Sequence, residues 1–208
     1  MTEVFQDPNW WMRDVFTALM IGGIVASGSI VGQTMVADAR TAREDAASAA
    51  QITHGIQLEN LRFVRDGSSP DPTRSRPFST LNLANQDLVG LQLANADFAY
   101  TDLSDSRLIA SNISGGDFSR ATLRQTDFRR ANLRGAYFGV NRYISEGNQP
   151  GADLTGADFT GADLTNADLS HANLTDANLA TATMTNVFYD AVTKWPNNFQ
   201  PPPSRDTH

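Results

Sequence analysis

Side chains able to do chemistry are scarce in this chain: three histidines and no cysteine among 208 residues. Without thiols there is no disulfide scaffold, no thiolate zinc site and no cysteine nucleophile. That absence leaves the redox compartment open. His54 stands with no partner ligands near it, which argues for an ordinary polar position rather than a metal ligand. His171 sits in HANLT, at an expected exposed corner, with no serine elbow, metal-ligand spacing or carboxylate pair to assist it. Aspartates recur as D-x-x-x-x-D, a hint of calcium, but that step sends successive carboxylates to different sides, too far apart to share one ion. No phosphate loop or dinucleotide fingerprint is present. The expectation is a protein that is not an enzyme and carries no cofactor and no metal.

Charge supplies the remaining candidate. The net charge of −7 and pI near 4.8 argue against a nucleic-acid partner, since such binding draws its affinity from Lys and Arg neutralising phosphates. Basic residues nonetheless concentrate in the middle of the chain, at Arg107, Arg120, Arg124, Arg129, Arg130, Arg134 and Arg142, whereas Glu146 to Asp190 holds seven acids and no base. Arg120, Arg124, Arg129, Arg130 and Arg134 form the candidate interaction surface, a belt for an anion or an acidic partner. The competing and favoured reading pairs these arginines with acids of neighbouring coils, Arg107 between Asp87 and Asp127 and Arg142 beside Asp163.

The element that must position these residues is a repeat. From Leu83 to Tyr143, and after one extra residue from Leu154 to Tyr189, all twenty-one positions five apart are apolar or aromatic. At a hydrophobic frequency of 40%, chance gives this on the order of once in 10⁸. Five steps along an α-helix rotate a side chain by about 140°, and an odd step along a strand flips faces, so neither element buries the series. A coil that turns a corner every five residues, four corners to a revolution, does. The position two earlier must then be small, as Ala121, Ala131, Ala136, Ala152, Ala157 and Ala162 are. Twenty residues per coil predicts a column of Phe78, Phe98, Phe118, Phe138 and Phe159, and an opposite one of Leu93, Ile113, Leu133, Leu154 and Leu174.

The run GADLT, GADFT, GADLT, NADLS, HANLT, DANLA resembles the pentapeptide-repeat family, over residues 78–190. The resemblance implies a mainly β fold, a right-handed quadrilateral β-helix. The segment from Tyr189 to Pro201 is similar to the one that ends many members, and 191–208 is its closing segment and tail. Leu81, Gln86 and Leu91 depart from the pattern by occupying the small position. Anchor, spacer and rod together resemble bacterial, particularly actinobacterial, membrane-anchored members. Some members act as DNA-mimicking rods that bind gyrase and protect it from quinolones, a role the central arginines and a membrane anchor argue against here.

Ahead of the repeat, residues 15–37 contain no ionisable side chain, and Trp10 and Trp11 precede them after a tail at 1–14. That length suits a single transmembrane helix, with the indoles at the water boundary. The several glycines leave a buried soluble helix as the alternative, and A-x-A at Ala37–Ala39 raises a cleaved signal peptide, which the acidic flank opposes. Arg40 and Arg43 outnumber Arg13, placing the repeat in the cytoplasm. Gly28 and Gly32 form G-x-x-x-G, so a homodimer is one expected state. Residues 38–66 favour a helical spacer with an apolar stripe of Ala49, Ile52, Ile56 and Phe63, and the proline-rich 67–77 reads as a linker. The functional expectation is a membrane-tethered, non-catalytic scaffold that holds an unidentified protein partner.

Overall fold

The computed structural model describes residues 10–140 and 149–205, with side chains from Ala39 onward. From Thr80 to Gly135, and again from Gly156 to Asn186, every fifth residue has φ between 54 and 70°. From Asn85 to Gly135 and from Gly156 to Thr181 each is the second central residue of a turn closed by an N–H reaching the carbonyl three residues back, as Ala96 to Leu93 at 3.1 Å and Ala131 to Phe128 at 2.9 Å. Positive φ at that position makes these type II turns. After four of them the chain lies beside itself: Asn82 bridges Asp102, and Asp102 bridges Thr122, all in parallel. The product is a four-sided β-helix whose sides are short bridges rather than long strands.

Asp and Asn precede the inward residue for a reason beyond solubility. Their side chains accept the N–H two residues on, at 2.9 Å from Ala99 to Asp97 and 2.8 Å from Thr160 to Asp158. This Asx turn pre-bends the chain into each corner. Thr155 and Thr160 add hydroxyl hydrogen bonds to the same carboxylates, at 2.5 and 2.6 Å.

The described inward residues from Phe78 to Leu179 are buried, with Leu83, Phe98, Leu123, Phe138, Leu154 and Leu174 fully inaccessible, and Met184 and Tyr189 beyond them are partly so. Small residues beside them leave room for this. Where a small position is polar it is satisfied, Thr101 donating to the Phe78 carbonyl and Thr126 to that of Leu103, both at 2.9 Å. Phe98, Phe118 and Phe138 stack nearly parallel at centroid distances of 5.3 and 5.0 Å. Full burial of each such side chain contributes roughly 1.5–3 kcal/mol before cavity terms.

The column expected to end in Phe159 changes beyond Phe138. Thr122 bridges Asp153, and Tyr137 bridges Asp168, so the chain gains eleven residues at one corner rather than one. Leu169 therefore follows Phe138, while Phe159 stacks on Phe128 at 5.2 Å. Leu154 and Leu174 continue the column of Leu103 and Leu123, not that of Ile113 and Leu133. Tyr143 and Arg142 lie outside the described residues. Gly151, where the inserted segment rejoins, packs too closely for a side chain: a Cβ there would stand 2.7 Å from the Phe138 carbonyl oxygen.

One α-helix, α1, runs from Trp10 to Gly67, continuous through the expected tail, span and spacer. Among the described residues no helix is long and apolar enough to cross a membrane. The segment 15–37 is helical, and its side chains lie outside the described residues. In the last part of α1 the inward face is not the expected stripe: Val64 is buried and Leu61 partly so, while Ile52 and Ile56 stay 64% and 52% exposed. The reason is chemical: the first coil presents unpaired carbonyls, and Asn60 and Arg65 are the side chains that reach them. Phe63 touches the core only at its edge, T-shaped against Phe78 at 5.4 Å.

The first coil has no predecessor to donate to its carbonyls, and the segment before it supplies the missing donors. Asn60 Nδ2 reaches the Asn82 carbonyl at 3.1 Å, Arg65 Nη2 that of Asp87 at 2.9 Å, and the Ser69 N–H that of Gln92 at 2.9 Å. Residues 67–77 thus form part of a cap, pinned by Arg76, which is 2% exposed. Its guanidinium donates to the carbonyls of Arg74, Ala94, Ser69 and Asp71 at 2.7–2.8 Å. Leu81 and Leu91, the oversized residues of this coil, pack against the core from its edge. At the far end Tyr189, Trp195 and Phe199 close the interior, with ring centroids 5.1 and 5.5 Å apart. Ser204 Oγ accepts the Tyr189 N–H at 3.1 Å.

Candidate interaction surface

The five belt arginines fall on successive sides and corners of the β-helix, since each inward residue opens a new side. Three of them occupy the position after an inward residue and meet the carboxylate that precedes the inward residue of the next coil. Arg124 reaches Asp153 at 3.1 Å and Arg134 reaches Asp163 at 3.0 Å. Arg129 grips Asp127 of its own coil at 2.7 Å and stands 4.0 Å from Asp158. Arg107 meets Asp87 at 3.3 Å, and the partner expected for Arg142, Asp163, belongs to Arg134. The arginines of these pairs are about half exposed, so each pair adds little stability.

The carboxylates respond to this setting. Burial works to raise Asp127, but hydrogen bonds from Arg129 outweigh it and hold the carboxyl below its ordinary value. Asp153 and Asp163 follow the same balance: burial raises, the Thr155 or Thr165 hydrogen bonds together with the arginine lower, and the net direction is down.

Arg120 and Arg130 have no carboxylate partner among the described residues. Arg130 is exposed. Arg120 is held differently: one guanidinium nitrogen donates to Gln149 Oε1, and the group lies over the Tyr100 ring at 5.3 Å from its centroid. Arg120 also borders a groove of about 480 Å³ with Gln149, Asp153, His171, Asn173 and Lys194. His171 is partly buried rather than an exposed corner. Its Nδ1 stands 2.5 Å from Asp190 Oδ2, a contact not aligned as a hydrogen bond, and its backbone N–H donates to Asp190 Oδ1 at 3.1 Å. Burial raises Asp190, but the His171 backbone bond, the Thr193 hydroxyl and the imidazole bring it below the ordinary range.

Tyr100, Gln149 and Lys194 escaped the sequence reading because they come from different coils and share no spacing. The one available signal was the extra residue between Tyr189 and Trp195, which breaks the five-residue count beside the groove. Among the described residues no group of three or more His, Cys, Asp or Glu is arranged to hold a metal ion.

Comparison with known proteins agrees with the winding. Residues 78–115, 101–139 and 151–187 match the family described as Pentapeptide repeats (8 copies). No curated protein matches the chain. Among solved structures, a pentapeptide repeat protein of the Arabidopsis thaliana thylakoid lumen is 24% identical with a TM-score of 0.45, over 52% of this chain and 68% of that one. HetL, a pentapeptide repeat protein involved in heterocyst differentiation regulation in the cyanobacterium Nostoc, is 29% identical with a TM-score of 0.39, over 51% of each chain. The fluoroquinolone resistance protein QnrB1 is 18% identical with a TM-score of 0.25, over 55% of this chain and 78% of that one. The chain thus spans about half the length of HetL and two thirds of the thylakoid protein. With a turn at every fifth residue, a bridge at every twentieth and this match to the family model, residues 78–139 and 151–187 are pentapeptide repeats.

Proposed function

We propose that the chain is a membrane-tethered, non-catalytic scaffold whose four-sided β-helix holds a protein partner. The observation that carries the non-catalytic part is where the polar groups are spent. The aspartates close Asx turns and pair with arginines of adjacent coils, so they serve the winding rather than forming an acid and base of divergent pKa. What the surface offers is flat sides that repeat along the axis, suited to contact over a large area.

Tethering is supported by the sequence at 15–37, long enough to span a bilayer and free of ionisable groups. The Arg40 and Arg43 flank supports a cytoplasmic repeat domain, and Gly28 with Gly32 supports pairing of two copies within the bilayer. The gyrase-binding alternative has less support, because Arg107, Arg124, Arg129 and Arg134 neutralise the acids that a DNA-like surface would need.

Fractionation followed by crosslinking tests the proposal. The full chain is expected to stay with membranes through a carbonate wash, to leave them in detergent, and to crosslink to a membrane-associated protein. Release of the intact chain by carbonate alone removes the tether. Altered quinolone tolerance on deletion, with no membrane partner, favours the gyrase reading instead.

A further inference from the structure

The groove beside the inserted segment differs from the rest of the surface in its charge. Along one of its walls Thr122, Asp153, Asn173 and Lys194 occupy the same position in four successive coils, each bridged to the next. Arg120 and His171 stand on the adjoining corner. The acids here are already engaged: Asp153 by Arg124, Thr155 and Asn173, Asp190 by His171 and Thr193. Two cations are not. Lys194 is exposed with no ion pair among the described residues, and Arg120 is steadied by Tyr100 and Gln149 with donors to spare. Elsewhere on the β-helix Arg107, Arg124, Arg129 and Arg134 meet carboxylates, Arg130 stands exposed and alone among the described residues, and the chain as a whole carries −7. An acidic ligand is therefore repelled generally and accepted at this place, which gives selectivity as well as attraction.

The spacing of the two cations narrows the ligand. Arg120 and Lys194 lie three coils apart, about 14 Å at roughly 4.8 Å per coil. An extended peptide covers that in about four residues at roughly 3.3 Å each. Gln149, which accepts from Arg120 through Oε1 and lines the groove, offers its amide nitrogen to a peptide carbonyl, whereas the Asn173 amide is already bonded to Asp153, Thr155 and Thr175. We propose that this groove binds an extended acidic peptide segment of the partner, with one carboxylate on Arg120 and a second, four residues along, on Lys194. The proposal rests on the scaffold reading and gives its partner a chemical class.

The test is fluorescence polarisation on the full chain in detergent, with a labelled Glu-Ser-Ser-Ser-Glu peptide against Glu-Glu-Ser-Ser-Ser of the same charge. The expected result is saturable binding at least fivefold tighter for the spaced peptide, with Arg120→Gln and Lys194→Gln each removing that preference and Arg74→Gln, an exposed cation distant in sequence, leaving it. Thermal melts of each variant establish that the fold is kept. Equal affinity for both peptides, or equal weakening by Arg74→Gln, overturns the proposal. If the double variant still crosslinks to its membrane partner as well as the parent does, the groove is refuted and the scaffold reading stands. If the peptide binds as expected but no membrane partner is found, the groove stands and the tethered scaffold does not.

Discussion

Replacing Phe118 with alanine tests the packing that underlies everything else. Phe118 is inaccessible to solvent and stacks between Phe98 at 5.3 Å and Phe138 at 5.0 Å, with Phe128 edge-on at 6.0 Å. Removing a buried phenyl group costs about 3–5 kcal/mol, set by how far the surroundings can close over the void. Here they can close little, because Phe98 and Phe138 are each fixed by the turns and bridges of their own coils. The expectation is the upper end, about 5 kcal/mol, or a Tm drop of roughly 10–20 °C for a domain of this size. Val89→Ala, at a position 41% exposed, is the control and is expected to stay within about 0.5 kcal/mol. Melting curves by circular dichroism read both. A Phe118→Ala protein within 3 °C (about 1 kcal/mol) of its parent would refute the stacked interior.

Arg76→Met leaves four carbonyls without their donor and is expected to cost about 3–5 kcal/mol by urea titration. Arg76→Lys should recover little of that, because one ammonium cannot reach four carbonyls arranged around a planar fork. Gly90 has φ of 69° and open space where a Cβ would go, so Gly90→Ala isolates the backbone term and should cost about 1 kcal/mol in the same titration. Asp127, Asp153, Asp163 and Asp190 all titrate below the ordinary 3.8 in the folded chain, so their contribution is complete above that value and is lost as pH falls through and below it. The urea midpoint should hold from pH 7 to 5 and decline below 4. A midpoint rising on acidification contradicts the pairing.

The five-residue count made the interior legible, because geometry leaves one way to bury every fifth side chain and a small residue two places earlier. It did not make the insertion legible. Counting by five fixes register only to a multiple of five, so one extra residue and eleven look alike, and the columns beyond Phe138 were misjudged for that reason. Arg76 was hidden among prolines, serines and aspartates that read as a linker, since no side-chain pattern marks an arginine whose partners are backbone carbonyls, those of Ser69, Asp71 and Arg74 in its own segment and of Ala94 in the first coil. On α1 the apolar residues Ile52 and Ile56 suggested one face while Asn60, Leu61 and Val64 chose another, because pairing bare carbonyls outweighs a modest apolar stripe. The expected ladders are seen for Arg107 with Asp87 and for Arg124 and Arg134 with acids of the next coil, not for Arg120 or Arg130 among the described residues, and the groove joins residues up to 74 apart in the chain, Arg120 to Lys194, which no spacing rule connects.

A stack of coils is by nature an unfinished sheet, and an unfinished sheet templates its own growth. Here Asn60, Arg65 and Ser69 occupy the hydrogen-bond acceptors at one terminus, and Ser204 with the Tyr189, Trp195 and Phe199 plug occupies the other. The molecule is thereby kept from joining end to end into fibres. A version beginning at residue 78 would bare the Asn82, Asp87 and Gln92 carbonyls, and light scattering should then register concentration-dependent polymerisation that the intact chain does not show.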